Sequence, residues 1–126
     1  PSSLVESQVF QSEYAQLEAR LRSARAFLHA TVEESWERAH ASRDVPLVER
    51  ANIKLASTYA INQGVEIAAD AYRMAGQSAI FPVNPFERRL RDAYSASQQL
   101  QGRPANFITI GRVLLGLPPD SPVVLG

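Results

Sequence analysis

The chain has 126 residues, with thirteen basic and thirteen acidic side chains, no cysteine and two histidines. This length fits one domain, predicted over residues 1–126, and is enough to bury a single core. The balanced charge argues against nucleic acid or an anionic membrane as a partner, since both attract a basic excess. The lack of cysteine excludes disulfides and zinc-thiolate sites.

No targeting signal is recognisable in the sequence. The first ten residues lack the basic and apolar regions of a secretory signal peptide, and no apolar run approaches the roughly 20 residues of a membrane-spanning helix. We therefore expect a cytoplasmic protein. Because the single methionine is Met74 and none stands at the start, we also expect this sequence to be a piece of a longer protein.

Residues 4–42 are predicted to form one long helix, because no proline or glycine interrupts residues 2–44. Ser2 or Ser3 is expected to cap this helix, with Glu6 placed for a capping box. Apolar side chains recur at steps of three and four, which indicates one buried stripe. The stripe consists of Phe10, Tyr14, Leu17, Leu21, Ala24, Leu28, Val32 and Ser35 or Trp36.

The length of this helix implies contacts outside the domain. At 1.5 Å per residue its residues span ~57 Å, whereas a compact globule of this size is about 36 Å across. The ends of the helix should overhang, and overhanging apolar residues such as Val9, Phe10 and Trp36 need partners from another chain or another domain. We therefore predict a homo-oligomer.

A second helix is predicted from Leu47 to Ala75. Pro46 marks its start, with Asp44 as the expected N-cap, and Gly76 is the expected C-cap. Its apolar residues form two sets, which predicts burial on two sides. One set is Val48, Ala51, Leu55, Tyr59, Val65, Ala69 and Tyr72, and the other is Ile53, Ala56, Ala60, Ile67, Ala71 and Met74.

Two shorter helices and a tail are predicted for the rest of the chain. Asn84 is expected to cap a helix over about residues 85–101, which ends at Gly102. Residues 106–115 are predicted as a fourth helix, and three prolines exclude regular structure from the tail, residues 117–126. Because no strand-type alternation is present, the predicted fold class is all-α: an up-and-down four-helix bundle with a long first helix.

The densest charged cluster lies at the start of the third predicted helix and consists of Glu87, Arg88, Arg89, Arg91 and Asp92. Arg88 and Arg91 share a helix face, and two guanidiniums beside a helix N-terminus can bind a phosphate or pyrophosphate. An exposed helix start with i,i+4 ion pairs explains the same residues. Spacing alone favours that second explanation.

Three other features each have a functional and a structural explanation. The small-residue turn at Gly76 could let a cofactor approach the backbone, but we favour a plain helix cap. His29 and His40 lie too far apart to share a metal ion, so no metal site is predicted and surface or interface positions are favoured. The second predicted helix carries a polar patch that could either form hydrogen bonds between packed helices or face a ligand. Both interpretations stay open for its residues, which are Tyr59, Asn62, Gln63 and Glu66.

No catalytic residues are predicted from the sequence. The two histidines share one helix, and no nucleophile turn accompanies them. On its own residues the chain makes a poor enzyme.

A longer pattern, AADAYRMAGQSAIFPVNPFERRLRDAYSASQQLQGRPANFITIGRVLLG, resembles the C-terminal end of the acyl-CoA dehydrogenase superfamily. The nearest branch is type 2, which includes two-component flavin monooxygenases. The family pattern is a glycine turn after a helix, Pro-x-x-Arg-x-x-Arg-Asp, a Gln-His pair and Gly-Arg-x-Leu-Leu-Gly. These elements correspond to Ala75-Gly76, Pro85 to Asp92, Gln98-Gln99 and Gly111 to Gly116. With the preceding long helix, the resemblance covers about residues 15–117.

The resemblance implies a four-helix bundle that builds a dimer or tetramer and lends residues to a site for FAD or FMN. Five residues would lie near the flavin phosphates or help to close the flavin pocket: Gly76, Arg88, Arg91, Gln98 and Gln99. Asp92 would orient one of the arginines. The N-terminal and middle domains of the parent enzyme would be further partners, so this segment alone should neither hold a flavin tightly nor turn over.

The chain departs from the family at two positions, and the first of them argues against a dehydrogenase that uses a base in this segment. The catalytic glutamate of the dehydrogenases falls at the position of Leu100, which cannot act as a base. Monooxygenase-like members commonly carry a histidine where this chain has Gln99, whose amide can hydrogen-bond but cannot titrate.

Three hypotheses follow. The first is an oligomerising, pocket-closing C-terminal domain of a flavin oxidoreductase, more monooxygenase-like than dehydrogenase-like. The second is a stand-alone helical interaction module whose long first helix docks partners. The third is the corresponding domain of a true acyl-CoA dehydrogenase, which requires a catalytic base upstream.

Overall fold

The computed structural model describes residues 4–41, 44–76, 85–98, 102–121 and 125. Within these ranges every regular element is helical, which confirms the all-α fold class. A short 3-10 helix, Leu4–Glu6, precedes four α-helices: α1 (Gln8–Ala41), α2 (Leu47–Ala75), α3 (Pro85–Ser97) and α4 (Asn106–Leu114). None of these described helices combines the length and the apolar character that a membrane crossing requires.

The long first helix is confirmed, but its predicted N-terminal cap is wrong. The α-helix begins at Gln8, and the residue that caps it is Ser7, whose hydroxyl accepts from Phe10 N at 3.4 Å. Ser7 O also accepts the first helical bond, from Gln11 N at 2.9 Å. The predicted caps, Ser2 and Ser3, lie outside the described residues, and the 3-10 turn that follows them separates them from α1.

The predicted bounds of α2 are confirmed, and one of its two caps is corrected. The N-cap is Pro46, with φ −57° and ψ 154° and no capping side chain, rather than Asp44. The fixed φ of proline matches the extended geometry of a cap, so no side chain is needed to start the helix. Gly76 is the C-cap as predicted, with φ 66° and its N–H donating to Arg73 O.

Helices α1 and α2 form an antiparallel hairpin. Arg73 of α2 donates to Glu13 near the start of α1 at 3.5 Å. At the middle of the hairpin the rings of Phe27 and Tyr59 meet edge-on, with centroids 6.3 Å apart. At the far end Arg38 lies 3.8 Å from the carboxylate of Glu49. These contacts fix one register along the whole hairpin.

The seam of α1 that faces α2 differs from the predicted stripe. Residues in contact with α2 or buried against it recur at threes and fours. They are Glu13, Leu17, Arg20, Ala24, Phe27, Thr31 and Arg38. Tyr14, Leu21 and Val32, which the stripe predicts as buried, are 53%, 37% and 52% exposed. The described residues of α2 therefore leave these three side chains of the stripe partly uncovered.

Helices α3 and α4 lie one after the other along α2. Asn62 of α2 donates to Gly102 O at 2.8 Å, just beyond the end of α3, and Asn106 at the start of α4 donates to Thr58 at 3.4 Å. Farther on, Ile110 packs near Ala51. The chain from α3 to α4 thus runs antiparallel to α2, with α3 on its C-terminal half and α4 on its N-terminal half.

Helix α2 is the centre of the domain, because α1, α3 and α4 each pack against it. Among the described residues no comparable contact joins α1 to α3 or α4. Helices α1, α2 and α3 alternate in direction, whereas α4 runs the same way as α3, so the described helices do not show the full up-and-down order. The contacts that would close four helices into a bundle are not seen in the described ranges, so the closed bundle stays a prediction.

The hydrophobic core is small and lies at the N-terminal half of α2. Its buried members are Ala51, Ile110, Val113 and Leu125, with Leu55 and Phe107 packed against them. Leu125 belongs to the segment that the sequence predicts as an unstructured tail, so this tail contributes to the core. Helix α3 ends at Ser97 rather than near residue 101. Directly after the helix, Gln98 N donates to Ser95 O at 3.2 Å.

Candidate functional site

The turn at Gly76 is the first of the predicted site residues. Gly76 is exposed at the end of α2 and has the positive φ that favours glycine. No described atom lies within 4 Å of the place where a Cβ would stand. The glycine is therefore explained by the backbone turn rather than by close packing against the described residues.

An apolar groove lies next to this turn, between α1 and the C-terminal half of α2. Its volume is about 390 Å³, within the range of small-molecule sites. The groove is lined by Phe10, Tyr14, Leu17, Glu18 and Leu21 of α1 and by Ile67, Ala71, Met74 and Ala75 of α2. Sequence reasoning named most of these residues as apolar stripes but assigned them to a closed core, so it missed the groove.

Arg88 and Arg91 occupy the first turns of α3, and both are exposed. Helix α3 has 13 residues, spans about 20 Å and packs against α2. Among the described residues neither guanidinium has a hydrogen-bond or ion-pair partner.

The predicted role of Asp92 finds no support in the contacts. Asp92 is exposed, and the structure records no ion pair between it and Arg88 or Arg91. Of the i,i+4 ion pairs that offered a structural explanation of this cluster, the pair Arg88–Asp92 is not formed among the described side chains, and the side chain of Glu87 lies outside them. Within the described side chains, both arginines remain available to an anion.

The glutamine pair is separated from the arginines. Gln98 is exposed just after the end of α3, about 15 Å from Arg88 along the helix axis. Gln99 and Leu100 lie outside the described residues. Gly76 ends α2, Arg88 and Arg91 lie in the first turns of α3, and Gln98 follows the end of α3. That these residues share one site stays a prediction.

The polar patch on α2 serves the packing of the helices. Arg20 of α1 donates to Asp70 at 2.7 Å, to Glu66 at 3.3 Å and to Gln63 at 3.3 Å. Asn62 donates to Thr58 O and to Gly102 O, both at 2.8 Å. The sequence leaves two interpretations of this patch open. The contacts of Asn62, Gln63 and Glu66 agree with the one in which polar side chains hydrogen-bond within the packed helices.

Both histidines lie at the surface of α1, in agreement with the prediction. His40 meets the ring of Trp36 edge-on, with centroids 4.8 Å apart. His29 lines a shallow apolar groove that also includes Val32 and Trp36. In the described part of the chain no group of three metal-ligating side chains occurs.

One carboxylate has a perturbed acidity, and it lies away from the arginines. The Thr109 hydroxyl donates to Asp120 Oδ1 at 2.5 Å and lowers the pKa of this carboxyl below its usual value. Arg112 reinforces the effect by its charge, and its Nε donates to Pro118 O at 2.7 Å, closing the same turn. This group stabilises the end of α4 and is no candidate acid or base.

Within the described ranges these features define an all-helical domain with an open apolar groove between α1 and α2 and two exposed arginines near the start of α3. Residues 2–101 match the family described as acyl-CoA dehydrogenase, C-terminal domain. The chain belongs to this family, which confirms the resemblance seen in the sequence.

Two curated relatives match nearly the whole chain. Both are named indole-3-acetate monooxygenase. The protein from Pseudomonas putida is 30% identical over 117 residues, which are 93% of this chain and 30% of the relative. The protein from Acinetobacter baumannii is 27% identical over 118 residues, or 94% of this chain and 30% of the relative. The chain therefore spans about 30% of the length of the curated relatives it matches.

Proposed function

We propose that this chain is the self-associating, pocket-closing C-terminal domain of a flavin-dependent oxidoreductase of the monooxygenase type. Membership of the acyl-CoA dehydrogenase C-terminal family and the names of both relatives support the enzyme class. Because the chain spans about 30% of those relatives, most of the reaction chemistry would come from parts of the enzyme beyond these residues. We keep a cytoplasmic location as part of this proposal.

The observation that carries the proposal is the pair of exposed arginines near the start of α3. FAD and FMN both bear phosphate, which an exposed guanidinium can bind by paired hydrogen bonds. The positive end of the α3 dipole favours an anion at the same place. These residues fit a phosphate-bearing group at the edge of the domain, where Arg88 and Arg91 would hold it.

In the proposed enzyme the flavin and this chain would have different roles. A bound flavin supplies the redox chemistry. This chain supplies charge from Arg88 and Arg91, an open backbone turn at Gly76, and amides from Gln98 and Gln99 that hydrogen-bond without titrating. No residue here acts as the base of a dehydrogenase, since Leu100 stands at that position.

The substrate belongs to the same proposal. Both relatives are named for indole-3-acetate, an aromatic acid. An aromatic acid is therefore the first substrate class to test with the full-length enzyme. A dehydrogenase acting on a fatty acyl thioester is the competing class.

The test is a titration of the full-length enzyme with FAD and with FMN, followed by flavin fluorescence. We expect Arg91→Ala to weaken binding of the preferred flavin about tenfold, which corresponds to about 1.4 kcal/mol. Arg89→Ala is the matched control, because it removes an exposed arginine from another face of α3. Unchanged flavin affinity and unchanged assembly in the Arg91 variant would refute the assignment of this site.

A further inference from the structure

The chain reverses its direction directly after α4. Gly116 has a φ of 81°, a backbone conformation that favours glycine. Beyond it, Leu117 N donates to Arg112 O at 2.8 Å, and Arg112 Nε donates to Pro118 O at 2.7 Å. The segment that follows α4, called here the C-terminal segment and described at residues 117–121 and 125, therefore runs back along this helix.

Asp120 attaches the C-terminal segment to the middle of α4. The hydroxyl of Thr109 donates to Asp120 Oδ1. Thr109 is 2% exposed, and within the described ranges Asp120 is the one hydrogen-bond partner of its side chain. If the two groups separate, the buried hydroxyl loses this partner and carries a desolvation penalty. The attachment at Asp120 therefore resists opening.

Leu125 places the same segment in the core between α2 and α4. Its side chain is buried and packs with Ala51 of α2 and with Ile110 of α4. Because Ile110 directly follows Thr109, Asp120 and Leu125 contact consecutive residues of α4. A polar contact near the surface and an apolar contact inside thus hold the C-terminal segment, and the apolar one belongs to the packing that attaches α4 to α2.

The two contacts lie close enough in the sequence to depend on each other. Four residues separate Asp120 from Leu125, whereas seven separate Leu125 from Leu117, whose N–H is bonded to α4. A shorter loop loses less conformational entropy when it closes. A formed Asp120 contact therefore raises the effective concentration of Leu125 at the core, and its loss should let Leu125 leave the core more often.

We propose that the Thr109–Asp120 hydrogen bond is a latch that keeps the C-terminal segment over the α2–α4 core. Opening of the latch uncovers this core while the α1–α2 hairpin stays folded. The hairpin has its own contacts, such as Arg20 with Asp70, and among the described residues no comparable contact joins α1 to α4. Because the latch involves none of the residues assigned to a flavin, this inference goes beyond the proposed function and does not depend on it.

Thiol labelling tests the latch, because the chain has no cysteine of its own. Leu125→Cys is made alone and together with Thr109→Val, which replaces the buried hydroxyl by a methyl group. The reaction of a buried thiol with iodoacetamide follows the population of the open state. We expect Thr109→Val to accelerate labelling at position 125 by about 3- to 10-fold, the effect of one lost hydrogen bond. Asp120→Ala removes the acceptor instead and should accelerate it to a similar extent.

Two further cysteine positions distinguish local opening from other causes. Leu115→Cys lies at a residue that is 79% exposed, so its rate gives the reactivity of an open thiol and should not respond to Thr109→Val. Ala24→Cys lies buried on α1 and reports unfolding of the hairpin. Its labelling rate should also stay the same when Thr109→Val is added.

Three results would overturn the proposal. The first is a labelling rate at position 125 that neither Thr109→Val nor Asp120→Ala changes. The second is an equal acceleration at position 24, which would mean that the whole domain unfolds instead of the C-terminal segment alone. The third is a thiol at position 125 that reacts as fast as one at position 115 while the latch is intact.

Discussion

Arg20 of α1 donates to Asp70 of α2 at 2.7 Å, and the same guanidinium reaches Glu66 and Gln63 of α2. One side chain therefore fixes the register of the helical hairpin through three partners. Arg20 and Asp70 line a small polar pocket that shares Leu17 and Met74 with the apolar groove beside the Gly76 turn. The register set by Arg20 thus decides which side chains reach that groove.

Removal of this contact should destabilise the domain. We expect Arg20→Ala to lower the free energy of unfolding by about 1 kcal/mol, since the side chain is only partly exposed and bonds to three groups. Arg22→Ala is the control, because its more exposed side chain pairs with Glu18 within α1 and should cost under about 0.5 kcal/mol. Urea unfolding of both variants measures the difference, and equal losses would contradict the prediction.

The two glycines of α2 should respond to alanine with opposite signs. Gly76→Ala forces a side chain into a φ of 66° and should destabilise by about 1 kcal/mol. Gly64→Ala lies within the helix, where a Cβ meets no atom within 4 Å, and should stabilise by about 0.5–1 kcal/mol. Thermal unfolding of the two variants provides the measurement. A gain in stability for Gly76→Ala would show that the turn does not need glycine.

Leu125 should matter more than its place near the end of the chain suggests. Its side chain is 5% exposed and packs with Ile110 and Val113, so Leu125→Ala should cost about 2–4 kcal/mol. Leu115 is 79% exposed, and Leu115→Ala should change the stability by less than about 0.5 kcal/mol. Chemical unfolding of both variants measures this. A neutral Leu125→Ala variant would remove the tail from the core.

The Thr109–Asp120 hydrogen bond should make stability fall in acid. The folded state lowers the pKa of Asp120, so the contribution of this group is present above the unfolded pKa of about 3.9 and is lost as the pH falls through the lower folded value. Melting temperatures of wild type and Asp120→Asn between about pH 2 and pH 6 should differ at the upper end and converge at the lower end. Parallel curves would contradict this linkage.

The bounds of the helices could be predicted where the chain carries strong local signals. Pro46 and Gly76 fix φ at the two ends of α2, and the prediction for that helix is confirmed at both bounds. The start of α1 was mispredicted, because several serines near the N-terminus can cap a helix equally well. Local sequence could not distinguish Ser3 from Ser7.

The periodicity of the sequence could not predict how α1 is rotated about its own axis. An apolar stripe shows that a helix has a buried side, but it does not show which neighbour covers that side. Long-range pairs involving Glu13, Arg20 and Arg38 turn α1 so that small residues such as Ala24 face α2. The candidate site could be predicted only in part for a similar reason. Arg88 and Arg91 belong to this chain, but their proposed ligand would also contact other parts of the enzyme.

Helices α3 and α4 pack on different halves of α2, and we expect the two halves of the domain to differ in their resistance to local unfolding. The well-packed core, with Ala51, Ile110 and Val113, is attached to α4, whereas α3 lies beyond Gly102 on the other half of α2. Local unfolding of α3 should leave that core intact, because none of the side chains described on α3 is buried. The helix that presents Arg88 and Arg91 should therefore exchange its amide hydrogens faster than α4 and be the first to yield to protease.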